Sequence, residues 1–189
     1  MKRFRTPRGA FFLLLAVGCV LLAYYLMTLE ANKNKPEDYV VLTPVQEVLI
    51  RDLERNYPKS PKEVVRYYSE LTKCFYNEDN SEEQIVELGM KALELYDEEL
   101  AANKDQDKYL GDLKREIAKF RQDGYSISSY SVSSSTDVFY FSEDGRDFAR
   151  LYCTYYIRSG TVNQPLEEQF VLRLDEKGHW KIYGWDKVD

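Results

Sequence analysis

Histidine is nearly missing from this 189-residue chain, and the gap excludes much chemistry at once. His179 is the only one, so a histidine metal cluster, a Cys–His pair and a Ser–His–Asp triad would each have to use it. It stands beside Gly178 in an expected hairpin turn, where a solvated surface histidine is the ordinary occupant. Cysteine numbers three. Cys19 falls in an apolar segment, which leaves Cys74 and Cys153, too few for a disulfide scaffold. They read as buried thiols serving as small apolar side chains, with a Cys74–Cys153 bridge as the alternative in an oxidising compartment. No CxxC, HExxH, glycine-rich phosphate loop or calcium-loop pattern occurs, so no cofactor and no metal is expected. Positive charge is short as well, with 26 Lys and Arg against 32 Asp and Glu and a net charge of −6. An acidic surface of this kind argues against a nucleic-acid partner.

Charge of either sign is absent from residues 10–29, AFFLLLAVGCVLLAYYLMTL. About 20 apolar residues at ~1.5 Å rise each cross a hydrocarbon core of ~30 Å, and a helix closes its own backbone hydrogen bonds there. Lys2, Arg3, Arg5 and Arg8 precede the run, and every Asp and Glu follows it. The positive-inside rule then keeps residues 1–9 in the cytoplasm as a basic tail and carries residues 30–189 across. The reading is an uncleaved single-pass anchor in the cell membrane, in contact with the lipid bilayer through residues 10–29. A cleaved signal peptide has a shorter apolar core, and Thr28, Leu29, Glu30 and Ala31 make a poor cleavage site. A lipoprotein signal would use Cys19, but the chain stays apolar for ten residues past it.

Residues 30–42 read as a tether, and residues 43–189 as one extracytoplasmic domain large enough for its own core. Within it, residues 43–123 have helical periodicity and residues 125–188 have strand periodicity. Three helix starts share one chemistry: Thr43–Gln46, Ser60–Glu63 and Ser81–Gln84 each place a hydroxyl at the N-cap and a Glu or Gln three residues on. Pro44 and Pro61 occupy first helical positions. The first helix is expected to run to about Asn56. The second has a buried stripe of Val64, Tyr68, Leu71 and Phe75, and the third one of Ile85, Leu88, Leu93, Tyr96 and Leu100. A fourth carries the narrow stripe Leu110, Leu113, Ile117 and Phe120, ending at Gly124. From Tyr125 the period becomes 2. Strands are expected over 125–133, 136–142, 147–159, 166–174 and 179–188, with turns at 143–146, 160–165 and 175–178. Short connections make neighbours antiparallel. Helices first and a strand meander afterwards define an α+β domain, with helices packed on one face of a curved antiparallel sheet.

The helix opening SPKEVVRYY at 60–68 and the hairpin EEQFVLRLDEKGHWKIYGW at 167–185 resemble the cone-shaped nuclear-transport-factor-two-like superfamily. The resemblance covers residues 60–188. It implies a cone-like pocket, and the superfamily hosts isomerases, dehydratases and many non-catalytic binding modules. An extra helix from Pro44 and the lack of a strand pair between the second and third family helices depart from its pattern. In the ketosteroid isomerase and scytalone dehydratase branches an Asp, Tyr or His stands at the mouth. The nearest material here is Tyr68, Tyr140, Tyr155, Tyr183 and Asp186, at spacings unlike those sites. Buried tyrosines with hydrogen-bonded hydroxyls would account for them.

Glu78, Asp79, Glu82 and Glu83 read as a loop and a helix first turn rather than a cation site, and Asp97, Glu98 and Glu99 as a solvated helix face. Tyrosine is in excess, 16 residues, which suits a binding surface because the ring supplies area and the hydroxyl an adaptable polar contact. The third expected strand alternates Ala149, Leu151, Cys153, Tyr155 and Ile157 on its inner face with Arg150, Tyr152, Thr154, Tyr156 and Arg158 on the other. That second row is the candidate interaction surface, for a protein partner or self-association; a sheet face stabilised by cross-strand pairs is its bland alternative. The expected function is a non-enzymatic, membrane-anchored binding or scaffold domain of a bacterial envelope, resembling the bitopic scaffold subunits of secretion and sporulation channels. The alternative is an exported isomerase- or dehydratase-like enzyme, which needs a perturbed carboxylate or tyrosine in an enclosed pocket.

Overall fold

The computed structural model describes residues 21–27 and 41–188. The chain divides into two units, Met1–Val41 and Leu42–Asp189. In the first, residues 21–27 belong to a helix, α1, and all seven are exposed. The remainder of the expected span at 10–29, Cys19 included, and most of the tether lie outside the described residues. Among the described residues no helix is long and apolar enough to cross a membrane.

The second unit is α+β. Its helices are α2 (Pro44–Leu49), α3 (Pro61–Asn77), α4 (Glu82–Leu93), α5 (Glu98–Ala102) and α6 (Gln106–Gln122). Its strands are β1 (Tyr125–Val132), β2 (Phe139–Glu143), β3 (Arg146–Ser159), β4 (Val162–Leu174) and β5 (Trp180–Lys187). The hydroxyl caps start the helices as expected: Thr43 and Ser81 form complete capping boxes. At α3 the box is altered. Ser60 Oγ accepts from the Glu63 amide, but the Glu63 carboxylate accepts from Lys59 N instead, at 2.8 Å.

Two helices are shorter than their periodicity suggests. Helix α2 stops at Leu49 because Asp52 accepts from the amides of Glu54 and Arg55 at 3.0 and 3.1 Å, offering the backbone a turn in place of another helical turn. The stripe from Ile85 to Leu100 is interrupted after Leu93. There the chain leaves the helix to pair with β5: Ile182 N donates to Leu95 O and Asp97 N to Ile182 O, both at 2.8 Å. Leu95 and Tyr96 are buried by this detour.

All five strands form one antiparallel sheet in the order β1-β3-β4-β5, with β2 pairing the first half of β3 and β1 its second half. The β2–β3 connection is Asp144–Gly145 with φ 49° and 73°, the paired positive values that a two-residue hairpin of this twist requires. The β3–β4 connection is shorter than expected, since Val162 already pairs with Ser159 and Pro165 lies inside β4. Two bulges, near Ser128 and near Tyr183, bend β1 and β5.

Helix α3 supplies the centre of the core. Val64, Val65 and Leu71 are wholly buried, and meet Leu151, Cys153, Phe170, Leu172 and Ile182 of the sheet in one cluster. Each such aliphatic side chain removed from water contributes about 1.5–3 kcal/mol. The Tyr67 hydroxyl donates to Val48 O at 2.6 Å and ties α3 to α2. Asn77, the last residue of α3, binds both backbone groups of Ile127 in β1, each at 2.8 Å. Cys74 and Cys153 are free and buried, with Cys153 Sγ 3.3 Å from Ser69 Oγ.

One expectation about charge is overturned. Asp97 is no solvated helix-face residue: it is 2 % exposed and faces Arg173, 4 % exposed. The guanidinium donates to both Asp97 oxygens and, at 2.7 Å, to Glu99, while its flat face lies 4.9 Å from the Tyr183 ring centre. His179 is half-buried rather than solvated, stacked on Tyr57 at 4.3 Å.

Candidate functional site

The inner face of the sheet is not covered everywhere. Beyond the apolar cluster, α6 stands off from β4 and β5 and leaves a cavity of about 520 Å³. Helical spacing decides what α3 and α6 present to it. From α3 come Tyr68, Thr72 and Tyr76, four residues apart; from α6 and the residue before it come Asp105, Tyr109, Asp112 and Glu116. This second row runs beside the buried stripe of Leu110, Leu113 and Ile117, which explains why that stripe is narrow. Tyr96 enters from the detour after α4, and Lys104 from the turn before α6. The strands contribute Tyr155 and Ile157 of β3, Leu166 and Glu168 of β4, and Trp185 of β5.

The wall is aromatic. Tyr68 and Tyr96 pack against Trp185 with centroids 5.4 and 5.5 Å apart, and Tyr96 meets Tyr109 edge-on at 6.4 Å. Their hydroxyls are largely used up: Tyr68 and Tyr96 lie 3.4 Å apart, Tyr155 meets Ser69 at 2.9 Å, and Tyr76 donates to Glu116 at 2.6 Å. Burial holds the Tyr68, Tyr76, Tyr96, Tyr109 and Tyr155 hydroxyls protonated by raising their pKa.

Glu168 is the exception to the apolar inner face. Strand alternation puts it in the row Leu166, Glu168, Phe170, Leu172, opposite Cys153. Burial, and secondarily the Glu116 carboxylate, push its pKa up to about 7. Among the described residues no cation lies within 4.0 Å of it and no donor hydrogen-bonds its carboxylate. The cavity therefore holds a half-buried acid that is poised near neutrality and short of partners.

Of the residues singled out from the superfamily resemblance, Tyr68 and Tyr155 line the cavity. Tyr140 is exposed beside Trp180, Tyr183 lies against Phe148 and Arg173, and Asp186 is exposed. Glu168 was missed, although its signal was present: a lone carboxylate at an inward position of an alternating strand. The acidic flank of α6 was legible by spacing but not by destination.

The second candidate is the opposite sheet face. Arg150, Tyr152, Thr154, Tyr156 and Arg158 form one row there, increasingly exposed towards the β3–β4 turn. Tyr152 receives a hydrogen bond from Gln169 at 2.8 Å, Thr154 reaches Glu167 at 3.4 Å, and Arg150 lies over the Phe139 ring at 5.0 Å. Among the described residues the Tyr156 side chain has no such tie, and it is 37 % exposed. Cross-strand pairs thus occupy half of the row and leave its distal half open.

Fold and cavity together define an α+β domain with an aromatic, acid-containing hollow between helix and sheet. The chain belongs to the family described as a domain of unknown function, DUF6715, whose match spans residues 1–185. No curated protein matches it. Among solved structures it is similar to a K307A mutant of the helical cell shape determining protein Pgp2 from Campylobacter jejuni, at 11 % identity and a TM-score of 0.36, covering 67 % of this chain and 41 % of that one. It is also similar to the transfer protein TraH from the Gram-positive conjugative plasmid pIP501, at 14 % identity and a TM-score of 0.35, covering 70 % and 96 %.

Proposed function

We propose that this protein is a non-catalytic binding domain, held outside the cytoplasm by its apolar amino-terminal segment, and that the cavity between α6 and the sheet is where it binds a small molecule. The observation that carries this reading is the aromatic wall of a half-open cavity joined to an under-partnered carboxylate, a combination that gives both apolar area and orientation to a ligand. The amino-terminal charge pattern supports the membrane placement. A cone of the nuclear-transport-factor-two-like kind is the finer fold assignment we favour, supported by a long helix lying across a bulged antiparallel sheet. In this reading a tether raises the effective concentration of the domain beside other membrane components. The open end of the β3 row supplies a surface for a protein partner or a second copy.

Native mass spectrometry of the full chain, released from its membranes in maltoside micelles, tests the binding role. A discrete small-mass adduct is expected in the wild type and is expected to vanish in Leu166→Trp, which fills the cavity, while cooperative unfolding is retained. Bare protein in both forms would overturn the cavity reading. A second, enzymatic reading is favoured by one observation, the Glu168 pKa of about 7, where a carboxyl group can both give and take a proton. It predicts an adduct that is chemically changed during incubation, and that Glu168→Gln preserves unaltered.

A further inference from the structure

The Lys104 ammonium lies within reach of three rings at once: 5.4 Å from the centre of Tyr109, 5.7 Å from Tyr96 and 5.9 Å from Trp185. A cation within ~6 Å of an aromatic face is attracted by its quadrupole, and a box of such faces is how proteins recognise ammonium groups. The rings hold one another in place through the Tyr96–Trp185 and Tyr96–Tyr109 contacts, so the box stands without the lysine. Among the described residues no carboxylate forms an ion pair with Lys104 within 4.0 Å. The same cavity is lined by Glu116, which is exposed and accepts from the Tyr76 hydroxyl, and by the half-buried Glu168, and among the described residues no cation is in ion-pair contact with either. The cavity thus combines a cation-seeking box with two carboxyl groups that no cation pairs among the described residues, while its volume of about 520 Å³ exceeds what one lysine side chain tip fills.

Resting on the binding role proposed above, we infer that the ligand is an organic cation bearing a primary or quaternary ammonium group, which seats among Tyr96, Tyr109 and Trp185 and displaces Lys104. Lys104 is a stand-in: it occupies the box when the cavity is empty and must swing to solvent when the ligand enters. Its residence lowers the apparent affinity, because the ligand must displace a group already drawn to the same rings. Glu168 and Glu116 then balance the arriving charge. Acidic Asp105 and Asp112 and basic Lys108 stand at the cavity wall as well, so the charge effect of Lys104 has an internal control.

The test is isothermal titration calorimetry of the full chain in maltoside micelles with choline and with its neutral carbon isostere 3,3-dimethylbutanol. Choline is expected to bind at least tenfold more tightly than the isostere. Lys104→Met keeps the stem and removes the ammonium; it should tighten choline binding about tenfold, with little change for the isostere and little effect from Lys108→Met. Trp185→Leu should abolish the preference for choline. Weaker choline binding in Lys104→Met, equal affinity for the two probes, or no binding of either would overturn the inference, and would leave the binding role standing if native mass spectrometry still shows an adduct. Nanodiscs identify the source of the ammonium. Loss of choline binding in phosphatidylcholine discs but not in phosphatidylglycerol discs assigns a lipid headgroup, whereas equal affinity in both assigns a free cation; either result sustains the proposal.

Discussion

Glu168 shows how one side chain out of pattern changes what a domain can do. Ionised, it would sit on the inner sheet face with Glu116 nearby and no cation in ion-pair contact, so the folded state favours its protonated form. Its folded pKa, about 7, lies above the unfolded value, so stability is greatest while the group is protonated in both states and is lost as pH rises through the folded pKa. The groups that face it across the cavity include Tyr68 and Tyr76 from α3, Tyr155 from β3, and Glu116, Asp112 and Lys108 from α6. Denaturant titrations at pH 4 and pH 8 should therefore diverge. Glu168→Gln is expected to match the wild type at pH 4 and to exceed it at pH 8 by about 2 kcal/mol, after allowance for solvent screening. A difference of the same size at both values would show that packing, and not ionisation, distinguishes the two. Arg173 is the contrasting case, a buried cation whose needs are met by Asp97 and Glu99. Arg173→Met leaves Asp97 buried without its counter-charge and should cost about 3–5 kcal/mol in the same titration at pH 8. Asp97 was expected to be solvated because three consecutive acids within a helical stretch ordinarily form its water-facing side. The arginine that claims it lies on β4, a pairing that no local pattern reveals.

At the level of elements, local chemistry was legible wherever it acts locally. Hydroxyl caps began α2, α3 and α4, the Asp–Gly pair formed the β2–β3 turn, and alternation on β3 separated its buried row from its exposed row. What escaped was decided by partners distant in sequence. Leu93, Tyr96 and Leu100 fit a helical stripe, yet the chain abandons the helix there because Leu95 and Asp97 find backbone partners on Ile182. Tertiary hydrogen bonding outweighed a propensity worth tenths of a kcal/mol per residue. The cavity escaped for the same reason: the polar flank of α6 and the inward carboxylate of β4 become a site only when the two elements face each other. Asn77 is the device that fixes one such placement, since its amide mimics a neighbouring strand for Ile127 at the bulge in β1. Removing it strands two backbone groups of a buried residue. Asn77→Ala should cost about 2–3 kcal/mol. Asn77→Asp, which can still accept from the Ile127 amide but cannot donate to its carbonyl, should fall between. Hydrogen exchange at the Ile127 amide reads the effect directly: faster exchange is expected in Asn77→Ala, and unchanged protection would mean that β1 is held by β3 alone.

For the whole molecule, the two faces of the sheet divide the work. The inner face carries the core and, past it, the cavity; the outer face carries a row whose first half is tied by Gln169, Glu167 and Phe139 and whose second half is not. Seven of the 16 tyrosines fall on these two surfaces, with Tyr68, Tyr76, Tyr96, Tyr109 and Tyr155 lining the cavity and Tyr152 and Tyr156 on the outer row. If that row joins copies of the chain, association should depend on the exposed ring of Tyr156 and its neighbour and not on the core. Sedimentation velocity of the full chain in maltoside micelles, over a hundredfold range of concentration, is expected to show a shift to larger species in the wild type. Tyr152→Ala with Tyr156→Ala should abolish the shift while the denaturation midpoint falls only modestly, because the half-buried Tyr152 and the exposed Tyr156 lie on the outer face, where a cross-strand pair contributes about 0.2–1 kcal/mol. Association retained in the double variant would remove the outer row from the interface. A collapse of the midpoint would show that the row holds the sheet together, and the cavity would then stand alone as the candidate site of this domain.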